Sequence, residues 1–148
     1  GVRIHSEKAT PIGAILRPDH PMAERDVLDI EDLAAFQVVR SLDGRGQHDL
    51  VNEAVTEAQC ELPLQLITNS LPLARNLVLS NHGVGLYSKI GFLKEIEQGL
   101  LRYITILSPV LKDRKIGVLT SSRSHPNPAT HLMCRSLSKA LKAMKLDS

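Results

Sequence analysis

The sequence predicts an α/β fold in which helices pack on a largely parallel sheet. Short apolar or β-branched runs alternate with amphipathic segments through most of the chain. Hydrophobic residues make up 43% and charged residues 23% of the 148 residues, which is typical of a globular domain. The chain contains no internal repeat, and its length suits one domain with a core of its own.

Strands, a capped turn and a loop are predicted in the first third of the chain. Residues 12–16 form an apolar run that is closed by two prolines, which indicates a buried strand that enters a loop. Asp29 can cap a helical turn at residues 30–33. The β-branched segment 36–39 predicts a second strand, and a glycine-rich loop follows at 41–46.

The middle of the chain alternates between helix and strand. Apolar residues along one stripe predict a helix over residues 47–59. The apolar segment 62–67 predicts a buried strand, and Pro63 places its start near a sheet edge. Ser70 can then cap a helix that ends at Asn81-His82-Gly83.

The remaining part predicts three strands and two helices. Strands are expected at residues 84–87, 100–107 and 115–120, with a short helix at 93–99 that ends on glycine. Asn127 is predicted to cap the last helix, and the proline that follows it suits the first helical position. That helix is expected to bury Leu132, Met133, Leu137, Leu141 and Met144.

Composition argues against several classes of protein. Eighteen Lys and Arg against 16 Asp and Glu give a charge of only +2, which is too balanced for a protein that coats nucleic acid. No run reaches the roughly 18 apolar residues that span a bilayer, so no membrane association is expected. Cys60 and Cys134 lie far apart without a CxxC pattern, which favours a reduced, cytoplasmic protein.

The chain carries no recognisable catalytic or metal-binding motif. Its six histidines do not show zinc-ligand spacing, and HExxH, paired CxxC and GxSxG are absent from the sequence. We therefore predict no catalytic residue, no metal and no cofactor.

Two polar segments are candidates for ligand binding. Thr68-Asn69-Ser70 stands between an apolar strand and a helix N-terminus, where free amides and the helix dipole favour an anion or a carbonyl oxygen. Ser70 as a simple helix cap is the equally weighted alternative. The loop with Gly44-Arg45-Gly46 lacks a full phosphate-binding pattern, so it is first of all a strand-to-helix turn. Its position after a strand still suits a ligand.

Six short segments follow one another in a characteristic order, namely Leu16–Ala23, Ile30–Leu33, Ser70–Val78, Asn81–Leu86, Glu95–Leu101 and Asn127–Ala129. Their order and spacing resemble the effector-binding domain of LysR-type transcriptional regulators. In the family the turn at Asn81 opens with glycine, and asparagine can replace glycine there because it tolerates the left-handed conformation.

This resemblance implies a periplasmic-binding-protein-like fold with two α/β subdomains around a ligand cleft. Residues 10–82 would form the second subdomain, and residues 83–148 would return to the first, with a turn or hinge at Asn81 and Gly83. The first part of the first subdomain and the DNA-binding helix-turn-helix have no counterpart in these 148 residues, so the resemblance implies a domain fragment.

The resemblance also implies a function. A small-molecule effector is expected to bind between Thr68-Asn69-Ser70 and the segment from Ser41 to Arg45. A small carboxylate would suit the hydrogen-bond donors there. DNA would be bound only through the helix-turn-helix, and the protein would form homo-oligomers, either dimers or tetramers. A transporter's solute-binding protein and, less favoured, a small α/β enzyme are the alternatives.

Overall fold

A computed structural model describes residues 2–41, 49–112, 115–121 and 127–146 of the chain. In chain order the strands and helices are β1 Val2–Ala9, β2 Gly13–Leu16, β3 Val27–Leu28, β4 Val38–Arg40, α1 Leu50–Glu57, β5 Gln65–Ile67, α2 Leu71–Leu79, β6 Val84–Tyr87, α3 Leu93–Glu97, β7 Arg102–Ile106, α4 Pro109–Lys112, β8 Lys115–Ser121 and α5 Pro128–Ala143. Two 3₁₀ helices lie at Ile30–Ala35 and Lys89–Gly91.

Six strands form one mixed sheet in the order β3-β7-β2-β6-β4-β5. β4 runs parallel to both β5 and β6, and β3 runs parallel to β7. β2 runs antiparallel to both of its neighbours, β6 and β7. The prediction of a largely parallel sheet is therefore confirmed, because five of the six strands of this sheet run in one direction. β2 is the exception, and alternating elements do not fix the direction in which each strand is inserted.

A separate two-stranded ladder pairs β1 with β8 in antiparallel fashion, and α5 contacts it. The Lys8 ammonium group on β1 donates to the carbonyl oxygens of Leu141 at 3.3 Å and Lys142 at 3.2 Å, which ties the end of α5 to the ladder. β1 was not predicted from the sequence, because charged residues interrupt its apolar pattern. Residues 10–12 and the segment after β7 join the ladder to the six-stranded sheet.

The six-stranded sheet extends across position 83, where the sequence analysis placed a subdomain boundary. β6 and β7 follow Gly83, yet they pair with β2, and β6 also pairs with β4. Strand pairing thus divides the molecule between the β1–β8 ladder and the larger sheet.

Both faces of the larger sheet are covered over β2, β4 and β6, which explains the short, continuous apolar runs of these strands. Val38 belongs to one buried cluster together with Ala14 and Leu16, whereas its neighbour Val39 belongs to a second cluster with Ile15. α2 contributes buried Ala74 and Val78 to the second cluster, and α1 contributes Val51 and Ala54 to the first.

Two predictions of burial are wrong. β5 was expected to be buried, but all three of its residues are exposed, because β5 is an edge strand with β4 as its neighbour on one side. On α5 the exposed fractions are 64% for Leu132, 65% for Met133 and 50% for Leu137. The prediction is confirmed for Leu141, which is buried, and Met144 is half-buried. Cys134 is buried as well, because within the described residues α5 contacts mainly β1 and β8.

The turn after α2 has the backbone that its sequence predicts. Asn81 has a φ of 60°, in the left-handed region that asparagine tolerates better than most residues. A Cβ on Gly83 would lie 2.8 Å from Val39 Cγ2 and 3.1 Å from the Gln37 carbonyl oxygen, so a larger side chain would clash there. This close approach lets β6 start beside β4.

Candidate functional site

A pocket of about 220 Å³ lies at the carboxyl ends of three neighbouring strands, β4, β5 and β6. Because β5 and β6 both run parallel to β4, the residues that follow these strands meet at one edge of the sheet. The pocket is lined by Ser41, Thr68, Asn69, Leu71, Tyr87, Ser88, Ile90, Gly91 and Phe92.

One wall of the pocket is formed by Ser41, Thr68, Asn69 and Leu71, and we call it the polar wall. The Thr68 amide donates to the Arg40 carbonyl oxygen at 3.0 Å, which holds the segment after β5 against the end of β4. Thr68 Oγ1 accepts a hydrogen bond from the Ser70 amide at 3.0 Å. The Thr68 hydroxyl and the first amides of α2 therefore lie within one short segment.

Ser70 caps α2 and does not itself line the pocket. Its Oγ accepts from the Leu73 amide at 3.2 Å, and Pro72 in the first turn has no N–H that would need a partner. The cap starts α2 at Leu71, which lines the pocket. The positive end of the helix dipole thus lies at the polar wall.

The opposite wall follows β6 and runs from Tyr87 to Phe92; we call it the aromatic wall. Phe92 is fully buried, and its ring centroid lies 5.3 Å from that of Tyr87. Burial raises the pKa of Tyr87, an effect that the nearby Arg40 charge opposes. The phenol is consequently neutral near pH 7.

Ser88 is the most enclosed hydroxyl residue of the pocket, with an exposed fraction of 4%. It precedes the 3₁₀ helix Lys89–Gly91 but makes no side-chain capping hydrogen bond to it. Its hydroxyl group therefore remains available to a molecule in the pocket.

The structure brings three of the predicted effector-binding residues together. Ser41, Thr68 and Asn69 line one pocket, Ser70 is adjacent to it, and Arg45 lies outside the described residues. Sequence reasoning missed the aromatic wall. The predicted strand at 84–87 could have indicated this wall. If that strand runs parallel to β4, the residues after it lie at the same edge of the sheet as Ser41.

Asn81 and Gly83 lie at the amino-terminal ends of the same strands, away from this pocket. With His20, Pro21, Phe36, Gln37 and His82 they line a separate cavity of about 400 Å³. The His20 ring packs on Phe36 with centroids 4.7 Å apart, and its Nδ1 accepts from the Met22 amide at 3.1 Å. Burial lowers the pKa of His20 despite the neighbouring Asp19 carboxylate.

The described residues contain no cluster of three or more His, Cys, Asp or Glu side chains that could hold a metal ion. Within the same residues, no helix combines the length and the apolar character that crossing a bilayer requires. The polar groups described in the pocket are neutral hydroxyl and amide groups. Such groups can orient a small molecule by hydrogen bonds.

Open α/β sheets bind small molecules at the carboxyl ends of their strands, which is where this pocket lies. The family model of the LysR substrate binding domain matches residues 2–142. The chain therefore belongs to the LysR substrate-binding domain family. No curated protein sequence is significantly similar to it.

Solved structures of LysR regulators share the fold. The effector-binding domain of QuiR in complex with shikimate is 15% identical over 97% of the chain, with a TM-score of 0.67. The regulatory domain of CcmR from Synechocystis PCC6803 in complex with 2-PG is 17% identical over 97% of the chain, with a TM-score of 0.70. The MetR regulatory domain from N. meningitidis is 17% identical over 97% of the chain, with a TM-score of 0.65.

The chain spans part of these domains. It covers 68% of the QuiR chain, 68% of the CcmR chain and 65% of the MetR chain. This coverage agrees with the prediction that the 148 residues correspond to a partial effector-binding domain.

Proposed function

We propose that this chain senses a small carboxylate in the pocket at the ends of β4, β5 and β6, as the effector-binding part of a LysR-type transcriptional regulator in the cytoplasm. The observation that supports this proposal most is that Ser41, Thr68 and Asn69 line one pocket at the start of α2. Hydroxyl and amide donors at a helix N-terminus suit a carboxylate, and they bind it most strongly where water is excluded.

The two walls have different roles in this proposal. The polar wall and the amide at the start of α2 bind the carboxylate, while Ser70 maintains the helix end that faces it. Leu71 and Ile90, the pocket's apolar side chains that are not fully buried, contact the apolar body of the effector, and the Ser88 hydroxyl bonds a second polar group on it. Arg45, four residues after Ser41 in the sequence and outside the described residues, supplies a positive charge.

Binding can be measured by isothermal titration of the chain with a panel of small carboxylates that includes shikimate, the ligand in the QuiR complex. We expect one or more members to bind, and Thr68→Val to weaken that binding about tenfold, which corresponds to roughly 1.4 kcal/mol. Thr105→Val on β7 is the matched control, because it makes the same substitution two strands away from β6.

Further variants test the carboxylate class. Arg45→Ala and Ser70→Ala should each weaken binding of carboxylates while having less effect on the corresponding primary amides. Equal affinities for wild type and both variants would contradict the carboxylate proposal. Failure of every compound to bind, in the chain and in the full regulator, would contradict the sensing proposal itself.

In the full regulator we propose that effector binding changes the arrangement of a homo-oligomer and thereby the spacing of its DNA-binding modules. Light scattering and DNA-binding titrations with and without the bound carboxylate measure this coupling. An affinity for DNA that does not change with saturating effector would exclude it.

A further inference from the structure

Two arginine residues lie behind the pocket without lining it, one behind each wall. Arg40 ends β4, directly before Ser41, and Arg75 lies on α2. Neither belongs to the pocket lining, yet each contacts the backbone or the neighbours of residues that do.

Arg40 connects three elements behind the polar wall. Its side chain has an exposed fraction of 2%, and its guanidinium forms an ion pair with Asp49, the N-cap of α1. Nη1 also donates to Gln65 Oε1 on β5 at 3.1 Å and to Asn52 Oδ1 on α1 at 3.3 Å. The main-chain carbonyl of the same residue accepts from the Thr68 amide. Arg40 thus fixes the ends of β4 and β5 relative to α1.

Arg75 makes an equivalent connection behind the aromatic wall. Its Nη2 donates to the Gly91 carbonyl oxygen at 2.9 Å, and its Nε lies 3.0 Å from Glu95 Oε1 on α3. The guanidinium carbon lies 6.0 Å from the centroid of the Phe92 ring. One side chain of α2 therefore joins the segment that follows β6 to the start of α3.

We propose that Arg40 and Arg75 are positioning residues for the effector pocket, Arg40 for the polar wall and Arg75 for the aromatic wall. This inference rests on the proposed function, because the two walls are those of the pocket in which we propose that the effector binds. Arginine suits the role because its planar guanidinium presents several donors in fixed directions, so that one side chain can hold several elements at once. Each charge is matched by Asp49 or Glu95, which leaves the carboxylate of an effector to the polar wall.

Amide hydrogen exchange of the ligand-free chain tests the assignment, with one variant serving as the control for the other. Arg40→Met should speed exchange at the amides of Thr68 and Asn52, which bond to Arg40 O and Asp49 Oδ1. Arg75→Met should instead speed exchange at the amides of Phe92 and Ile96. We expect changes of about tenfold at the affected pair and less than about twofold at the other pair, as for local opening.

Arg40→Lys and Arg75→Lys keep the charge but cannot make all of these contacts, and they provide the test if a methionine variant does not fold. They should give the same crossed pattern with smaller changes. A uniform change at all four amides, or none at either pair, would overturn the inference. Because no ligand is present, this outcome is independent of the carboxylate titrations that test the proposed function.

Discussion

In the turn before β6, the backbone conformation of Asn81 restricts which residues can occupy that position. Its φ of 60° is unfavourable for residues with a plain Cβ and acceptable for glycine. We expect Asn81→Ala to lower the free energy of unfolding by about 1 kcal/mol, and Asn81→Gly to change it by less than about 0.5 kcal/mol.

Urea denaturation of the two variants measures this difference. Ser80→Ala, one residue earlier at a φ of −86°, is the control because its backbone needs no left-handed conformation. Equal destabilisation by Ala at positions 80 and 81 would show that backbone strain at Asn81 has no role.

His20 should make the stability of the protein depend on pH. Burial lowers the pKa of its imidazole in the folded state below 6.5, so the unfolded chain binds more protons as the pH falls through 6.5. The stability that neutral His20 supports is therefore fully present above pH 6.5 and decreases between 6.5 and the lower folded-state pKa. Protonation at Nδ1 would also remove the acceptor of the Met22 amide.

Denaturation midpoints between pH 5 and pH 8 measure this effect. His20→Gln should flatten the decrease below pH 6.5, whereas His82→Gln, at an exposed residue of the same cavity, should leave it unchanged. An identical pH profile for wild type and His20→Gln would contradict the assignment.

Helix α5 has an apolar surface that the sequence pattern places in the core and the structure leaves exposed. Leu137 is 50% exposed and Leu141 only 5% exposed. Leu141→Ala should therefore cost roughly 2–5 kcal/mol, as in other cores, whereas Leu137→Ala should cost about 1 kcal/mol or less.

Thermal or urea unfolding at two protein concentrations compares these variants. The concentration series matters, because association of copies through the exposed face would raise the cost at Leu137 as the protein becomes more concentrated. If Leu137→Ala and Leu141→Ala lower the free energy of unfolding equally at both protein concentrations, the chain itself covers Leu137.

The contrast between α5 and α2 shows which elements a sequence can predict. Local signals define α2: Ser70, Pro72 and the turn at Asn81 mark its ends, and the helix begins at Leu71 as expected. Burial of α5 depends on what lies against it, and a periodic pattern does not specify a partner. β1 was missed because charged residues interrupt its apolar pattern and because its partner, β8, lies more than a hundred residues away in the sequence.

The candidate site was partly predictable because it combines local and distant features. Thr68-Asn69-Ser70 lies between a strand and a capped helix, both of which the sequence defines, and two of the three residues line the pocket. Ser88 and Phe92 reach the same pocket only because β6 runs parallel to β4, a pairing fixed by the assembled sheet. The arginines behind the walls were not predicted, since their partners come from α1, β5 and α3.

The molecule as a whole consists of a well-covered sheet and a smaller ladder that should open more easily. Two buried clusters stabilise the six-stranded sheet from both faces, whereas the buried side chains of α5 are Cys134 and Leu141. A two-stranded ladder with one helix has little apolar area to resist opening. We therefore expect amides of α5 to exchange at least about tenfold faster than those of β2 and β6, a difference of about 1.4 kcal/mol in opening free energy.

Native-state hydrogen exchange at several urea concentrations measures this difference, and Tyr103→Phe tests its structural cause. The Tyr103 hydroxyl donates to the Pro11 carbonyl oxygen at 3.0 Å, and the Ile12 amide donates to the Leu111 carbonyl oxygen at 3.1 Å. Both bonds hold the segment that follows β1 against the body of the larger sheet. Loss of the tyrosine hydroxyl should increase the difference by speeding exchange in α5 while leaving β6 unchanged. If α5 and β6 instead exchange through one common opening, the ladder and the sheet unfold as a single cooperative unit.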